Sequence, residues 1–163
     1  MQYVIYLIED NHMMAYAIKE EFKEINKELK NYSYLIKHYP DLISLYQDYK
    51  NDLTNVNQIC FVVDLELPSY KSEILDYEES YPTLNKYSGF LWLYKYFCVE
   101  RDVEAPKKVI LFSAYISALE GALDNLGNDH LSDYFKSLDY IDKSASPYTI
   151  DKLVKEIRKA FNV

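Results

Sequence analysis

In FVVDLELPS, residues 61–69, three apolar side chains run straight into Asp64, and a second acid, Glu66, follows two positions later. The pattern recurs along the chain. YLIEDN is apolar from Tyr6 to Ile8 and ends in Glu9 and Asp10; VILFSA ends in Ser113 and Ala114; YIDK ends in Lys143. An acid where a buried run stops has either reached solvent or stands there to do chemistry, and for one acid alone solvent is the ordinary reading. Several acids at neighbouring strand ends change the argument. Clustered carboxylates repel one another and favour a cation between them. An all-oxygen donor set suits a hard ion such as magnesium. A carboxylate beside that ion can act as a nucleophile and form an acyl phosphate. The ion and a lysine then neutralise the transferring oxygens, and a serine hydroxyl can bond a further one. The only histidine near these ends is His12, which follows the first run and opens a helix.

These groups meet only if the segments carrying them lie side by side. Tyr3 to Ile8 reads as a buried strand. Ile18, Phe22, Ile25 and Leu29 then fall at helical spacing. Tyr32 to Lys37 reads as a second strand, and Pro40 and Asp41 open a helix marked by Leu42, Leu45 and Tyr49. Gln58 to Val63 is apolar without alternation, as a strand covered on both faces should be. Residues 69–87 are polar and mixed in charge, and read as an inserted surface loop with at most a helical turn around Ile74 to Tyr77. Ser88 stands where a cap is expected for a helix from Gly89 to about Val99. Lys107 to Phe112 is a fourth strand, Ser117 to Leu126 a helix stopped by Gly127, and Asn128 to Lys136 reads as no more than an extra turn. Leu138 to Ile141 is a fifth strand, and Ser146 and Pro147 start a last helix carrying Ile150, Leu153, Val154, Ile157 and Phe161. Strand and helix alternate five times. That predicts one α/β domain over 1–163, with three α/β/α layers and a doubly wound five-stranded parallel sheet. Ligands of such sheets bind beyond the carboxyl ends of the strands, where the acids, the serine and the lysine converge.

Composition narrows the function classes. With 18 Lys+Arg against 26 Asp+Glu the formal net charge is −8, which argues against direct nucleic-acid binding. No apolar stretch is long enough to insert in a bilayer and no basic leader precedes the first strand, so a cytoplasmic location is expected. Cys60 and Cys98 form no disulfide framework, and Cys60 reads as a small core residue. The 18 tyrosines are read as composition, not as a binding face, which would require them to cluster. Trp92 and Phe97 read as packing, and His38 and His130 as surface residues.

Taken together, YLIEDN, VVDLELP, GFLWL (Gly89 to Leu93), VILFSA and YIDK resemble the receiver domain of bacterial two-component response regulators, in order and approximate spacing across nearly the whole chain. The resemblance implies a flavodoxin-like topology. It implies that Asp64 accepts a phosphoryl group from a histidine kinase or phosphotransfer protein in a magnesium-dependent reaction. It places Glu9 and Asp10 as the acidic pair on Mg2+, with Asp64 and the backbone carbonyl of Glu66 completing the protein ligands. It makes Ser113 the switch hydroxyl, Ala114 the small residue beside it, Lys143 the conserved-type lysine and Tyr140 the aromatic that changes rotamer. Phosphorylation would then shift the face formed by the fourth helix, fifth strand and fifth helix.

Departures from that family are also legible. Ser144 follows Lys143 where the family commonly has proline, so a trans bond is expected. The connections from the third strand to its helix and from the fourth strand to the fifth are extended. No effector region is recognisable, so the expected output is a stand-alone receiver signalling to a downstream protein in trans, with a homodimer also open. Self-phosphorylation and autodephosphorylation are the only enzymatic activities this implies. One alternative is an interaction module that keeps the receiver shape without using phosphate. Another is a magnesium phosphohydrolase, which would want an aspartate as acid/base where Glu66 stands.

Overall fold

The computed structural model describes residues 1–67, 74–145 and 147–163. Five strands form one parallel sheet: β1 (Gln2–Ile8), β2 (Ser33–Tyr39), β3 (Ile59–Val63), β4 (Lys108–Ser113) and β5 (Asp139–Asp142), in the spatial order β2-β1-β3-β4-β5. This is the 2-1-3-4-5 order of flavodoxin and receiver topology, and the three-layer expectation holds. Its helices are α1 (His12–Glu28), α2 (Leu42–Asn51), α3 (Leu75–Ser80), α4 (Ser88–Leu93), α5 (Ile116–Leu126), α6 (Asp129–Ser137) and α7 (Thr149–Phe161).

Alternation along the strands builds two cores. Val4, Tyr6 and Ile8 of β1 join Phe61 and Val63 of β3 beneath α2, α4, α5 and α6. Tyr3, Ile5 and Leu7 join Cys60, Val62 and Phe112 beneath α1 and α7. Each residue of Tyr3 to Ile8 and of β3 is therefore buried whichever way it points, which is why these strands read as unbroken apolar runs.

Three local expectations change. Over residues 74–87, the expected surface loop carries α3 and a 3-10 turn at Pro82–Leu84, and Ile74, Leu84 and Tyr87 are buried in the core. Its few apolar residues act as anchors, too widely spaced for a helical period to show. Residues 69–73 lie outside the described residues, as does Ser146. The extra turn expected after Gly127 is α6, capped by Asn128, whose side chain accepts from Leu131 N at 3.1 Å, and packed through Leu131 and Phe135. Helix α7 begins after Pro147 at Thr149, with no side-chain cap bond from Tyr148. The last turns of α4 continue as a π-helix, Tyr94–Glu100, which ends at Arg101 with φ 54°.

A polar network secures the β1–β2 edge. The Tyr6 phenol donates to Asp52, and Lys37 Nζ reaches the same carboxylate at 2.6 Å. Burial works to raise the Asp52 pKa, but Lys37 and hydrogen bonds from Thr54 and Tyr6 outweigh it and hold it well below the usual carboxylate range. A depressed folded-state pKa contributes stability that is present above the unfolded value, about 3.9, and lost as pH falls through the folded one. Asp52→Asn is expected to flatten the acid limb of stability against pH below about 5, measured by urea unfolding across that range.

Candidate functional site: an acidic triad bridged by a lysine

The site lies where β1, β3, β4 and β5 end. Parallel pairing sets Ile8 beside Val63, and the ladder continues as Asp64 N donates to Ile8 O at 2.9 Å. The acids that follow these strands are thereby brought together. Glu9, Asp10 and Asp64 each offer a carboxylate oxygen, all within 4.8 Å of one another, so the triad has the donors and proximity to hold a divalent cation. Their settings differ: Glu9 is 1 % exposed, Asp64 half-buried and Asp10 open to solvent. Burial raises the Glu9 pKa and Asp64 adds to that, while Lys143 and the Asn11 amide oppose it.

Lys143 closes the arrangement. Its backbone N–H donates to Ser113 O at 3.0 Å, fixing the residue after β5 to the end of β4. From there its ammonium reaches across the sheet ends, hydrogen-bonded to Glu9 Oε2 and, at 2.8 Å, to Asp64 Oδ2. It sits 4.9 Å from the Phe112 ring centroid, a cation–π distance. The backbone holds the two acids as well: Asn11 N donates to Glu9 Oε1 at 3.0 Å and Leu65 N to Asp64 Oδ1 at 2.7 Å.

The remaining sequence-derived residues are distributed around this centre. Ser113 is fully buried at the end of β4, and its hydroxyl accepts from Tyr115 N at 3.3 Å. Glu66 is exposed, and its carboxylate faces the Tyr115 phenol, whose pKa it raises; the side chain is not a member of the triad. Tyr140 is 53 % exposed and stacks on Phe135 of α6, ring centroids 5.9 Å apart.

Two contributors are invisible to motif reading. His38, expected at the surface, is half-buried, and its Nε2 lies 2.8 Å from the Glu9 carbonyl oxygen; its ring meets that of His12 edge-on with centroids 6.1 Å apart. Parallel register brings it there, since His38 pairs with Leu7. Ser88, expected as a helix cap, is instead the first residue of α4, and its hydroxyl bonds both backbone groups of Leu67. The Gly-Phe pair did carry a signal: a Cβ on Gly89 would lie 2.1 Å from the Asp64 carbonyl oxygen, so only glycine lets α4 approach the acid. No family model matches the chain, and no curated protein matches it.

Gly89→Ala must push backbone against backbone and is expected to cost about 1–3 kcal/mol in urea unfolding. Gly121→Ala, with nothing within 4 Å of the new methyl, is expected to leave stability unchanged or raise it. Lys143→Met strands two acids and is expected to cost roughly 3 kcal/mol. Added Mg2+ should recover more stability in that variant than in the wild type, read as the shift in thermal midpoint.

Proposed function

We propose that the chain is a receiver-type phosphoacceptor and that Asp64 takes the phosphoryl group. The observation that carries this reading is the meeting of Glu9, Asp10 and Asp64 with the Lys143 ammonium at the carboxyl edge of a 2-1-3-4-5 sheet. A carboxylate donor set without sulfur or imidazole fits a hard ion, and Mg2+ is the expected one. Glu9, Asp10 and Asp64 would hold it with their carboxylates and Glu66 with its backbone carbonyl. When bound, it would supply neutralising charge for phosphate oxygens.

In the transfer itself, an Asp64 carboxylate oxygen forms a bond to phosphorus while the bond from phosphorus to the donor breaks and its electron pair leaves with the donor. A donor phosphohistidine thus returns to histidine, and Asp64 becomes an acyl phosphate. The phosphoryl group adds roughly two negative charges at neutral pH. Lys143, already bonded to Asp64, stands ready to meet them. Ser113 is the hydroxyl to move toward the new oxygens, and Tyr140 the ring to change rotamer with it. The phosphodonor would be a histidine kinase or phosphotransfer protein, and the signal a shift between two conformations sensed by a separate protein. Catalysis would extend only to the chain's own phosphorylation and its reversal.

One observation favours a second reading. Lys143 bonds Glu9 and Asp64 at once, so the pocket can stand as a structural ion-pair bridge in an interaction module that ignores phosphate.

Incubation with acetyl phosphate and Mg2+, followed by intact mass, separates the two. The phosphoacceptor reading expects a gain of about 80 Da that vanishes in Asp64→Asn and without the metal. A folded chain that gains no mass from acetyl phosphate or phosphoramidate belongs to the second reading.

A further inference from the structure

The turn after Asp64 is held by residues far away in sequence. Ser88 Oγ donates to Leu67 O at 2.7 Å and accepts from Leu67 N at 3.3 Å. Next to it, Gly89 N donates to Leu65 O at 3.1 Å. Two consecutive residues thus grip both neighbours of Glu66 and leave the Glu66 peptide between the two holds. Ser88 is 1 % exposed and Leu67 is buried, so water has no ready access to replace the hydroxyl. An ordinary helix cap does not explain this use of serine. The N-cap position of α4 is Tyr87, and the Ser88 hydroxyl directs both its donor and an acceptor lone pair at Leu67.

The grip reaches the acid through the backbone. Leu65 N is the donor that fixes Asp64 Oδ1, while Lys143 fixes Oδ2. Loosening residues 65–67 therefore releases one of the two contacts that aim the Asp64 carboxylate. We propose that Ser88 is a positioning residue for the divalent-cation site: through its clamp on Leu67, backed by Gly89, it sets the path of Asp64 to Leu67 and so the aim of the Asp64 carboxylate and the Glu66 carbonyl. This rests on the phosphoacceptor reading of the same site. The clamp also ties the start of α4 to the turn after the acid, so displacement of α4 would reach the cation site.

The test uses the full chain as wild type, Ser88→Ala, Ser88→Thr and Leu123→Ala. Leu123 is buried in α5 and serves as a destabilised control. Mg2+ affinity is measured by calorimetry, stability by urea unfolding, and amide exchange by NMR. Ser88→Ala should speed exchange at the Leu67 amide and weaken Mg2+ about tenfold, the order expected when one buried hydrogen-bonded partner is lost. Ser88→Thr keeps the hydroxyl and should restore the affinity, and Leu123→Ala should lose stability while binding Mg2+ like the wild type. Wild-type affinity in Ser88→Ala overturns the proposal, as does equal weakening in Leu123→Ala. A wild-type chain that binds no divalent cation overturns the phosphoacceptor reading and the proposal with it.

Discussion

The Lys143 ammonium between Glu9 and Asp64 is the interaction on which this rim depends. Glu9 is almost wholly buried, and a buried carboxylate without a partner is untenable at neutral pH. Parallel pairing nevertheless drives it together with Asp10 and Asp64 at one edge. Repulsion among those acids and the burial of Glu9 are the constraint, which pushes the Glu9 pKa up and which a cation relieves. The chain supplies one itself from the end of β5, the element that a parallel sheet can place beside β4 and within reach of both acids. Lys143 offsets one negative charge and bridges two of the acids, so the balance of charge at this edge rests on its side chain.

Holding that balance requires a stiff frame, and the two cores provide it. Alternate residues of β1 and β3 are locked beneath opposite helix layers, so a one-residue slip would exchange the side chains packed in the two cores. The loops beyond them are fixed by short-range backbone bonds: Asn11 to Glu9, Leu65 to Asp64, Lys143 N to Ser113 O. Helix α4 adds a brace from further away, through the Ser88 clamp and the close approach of Gly89. The approach works because one residue has no side chain and its neighbour has a hydroxyl short enough to turn back on the strand end.

Most of the frame was legible in the sequence because it rests on local pattern. Continuous apolar runs announced β1, β3 and β4, helical spacing announced α1, α2 and α7, and the acids at the run ends announced the rim. What stayed hidden depends on contacts between distant residues. Ser88 looked like a cap because its partner, Leu67, lies 21 residues away. His38 looked like a surface residue because only the β1–β2 register carries it to the Glu9 carbonyl. Helix α6 hid because a nine-residue segment with two buried residues, Leu131 and Phe135, shows too little period. Residues 74–87 read as loop because their anchors, Ile74, Leu84 and Tyr87, sit among polar neighbours. The pairing of Lys143 with Glu9 as well as Asp64 belongs to the same class, since spacing can bring a lysine to the rim but not choose its partners.

The central claim is that these carboxylates, bridged by the lysine, form one cation site. Titration of Mg2+ into the 15N-labelled chain tests it most directly. The account expects saturable shifts centred on the amides of Glu9 to Asn11, Asp64 to Leu67 and Lys143, lost when Asp10 is changed to Asn. Saturable shifts elsewhere, or none at these amides in a folded chain, would contradict it.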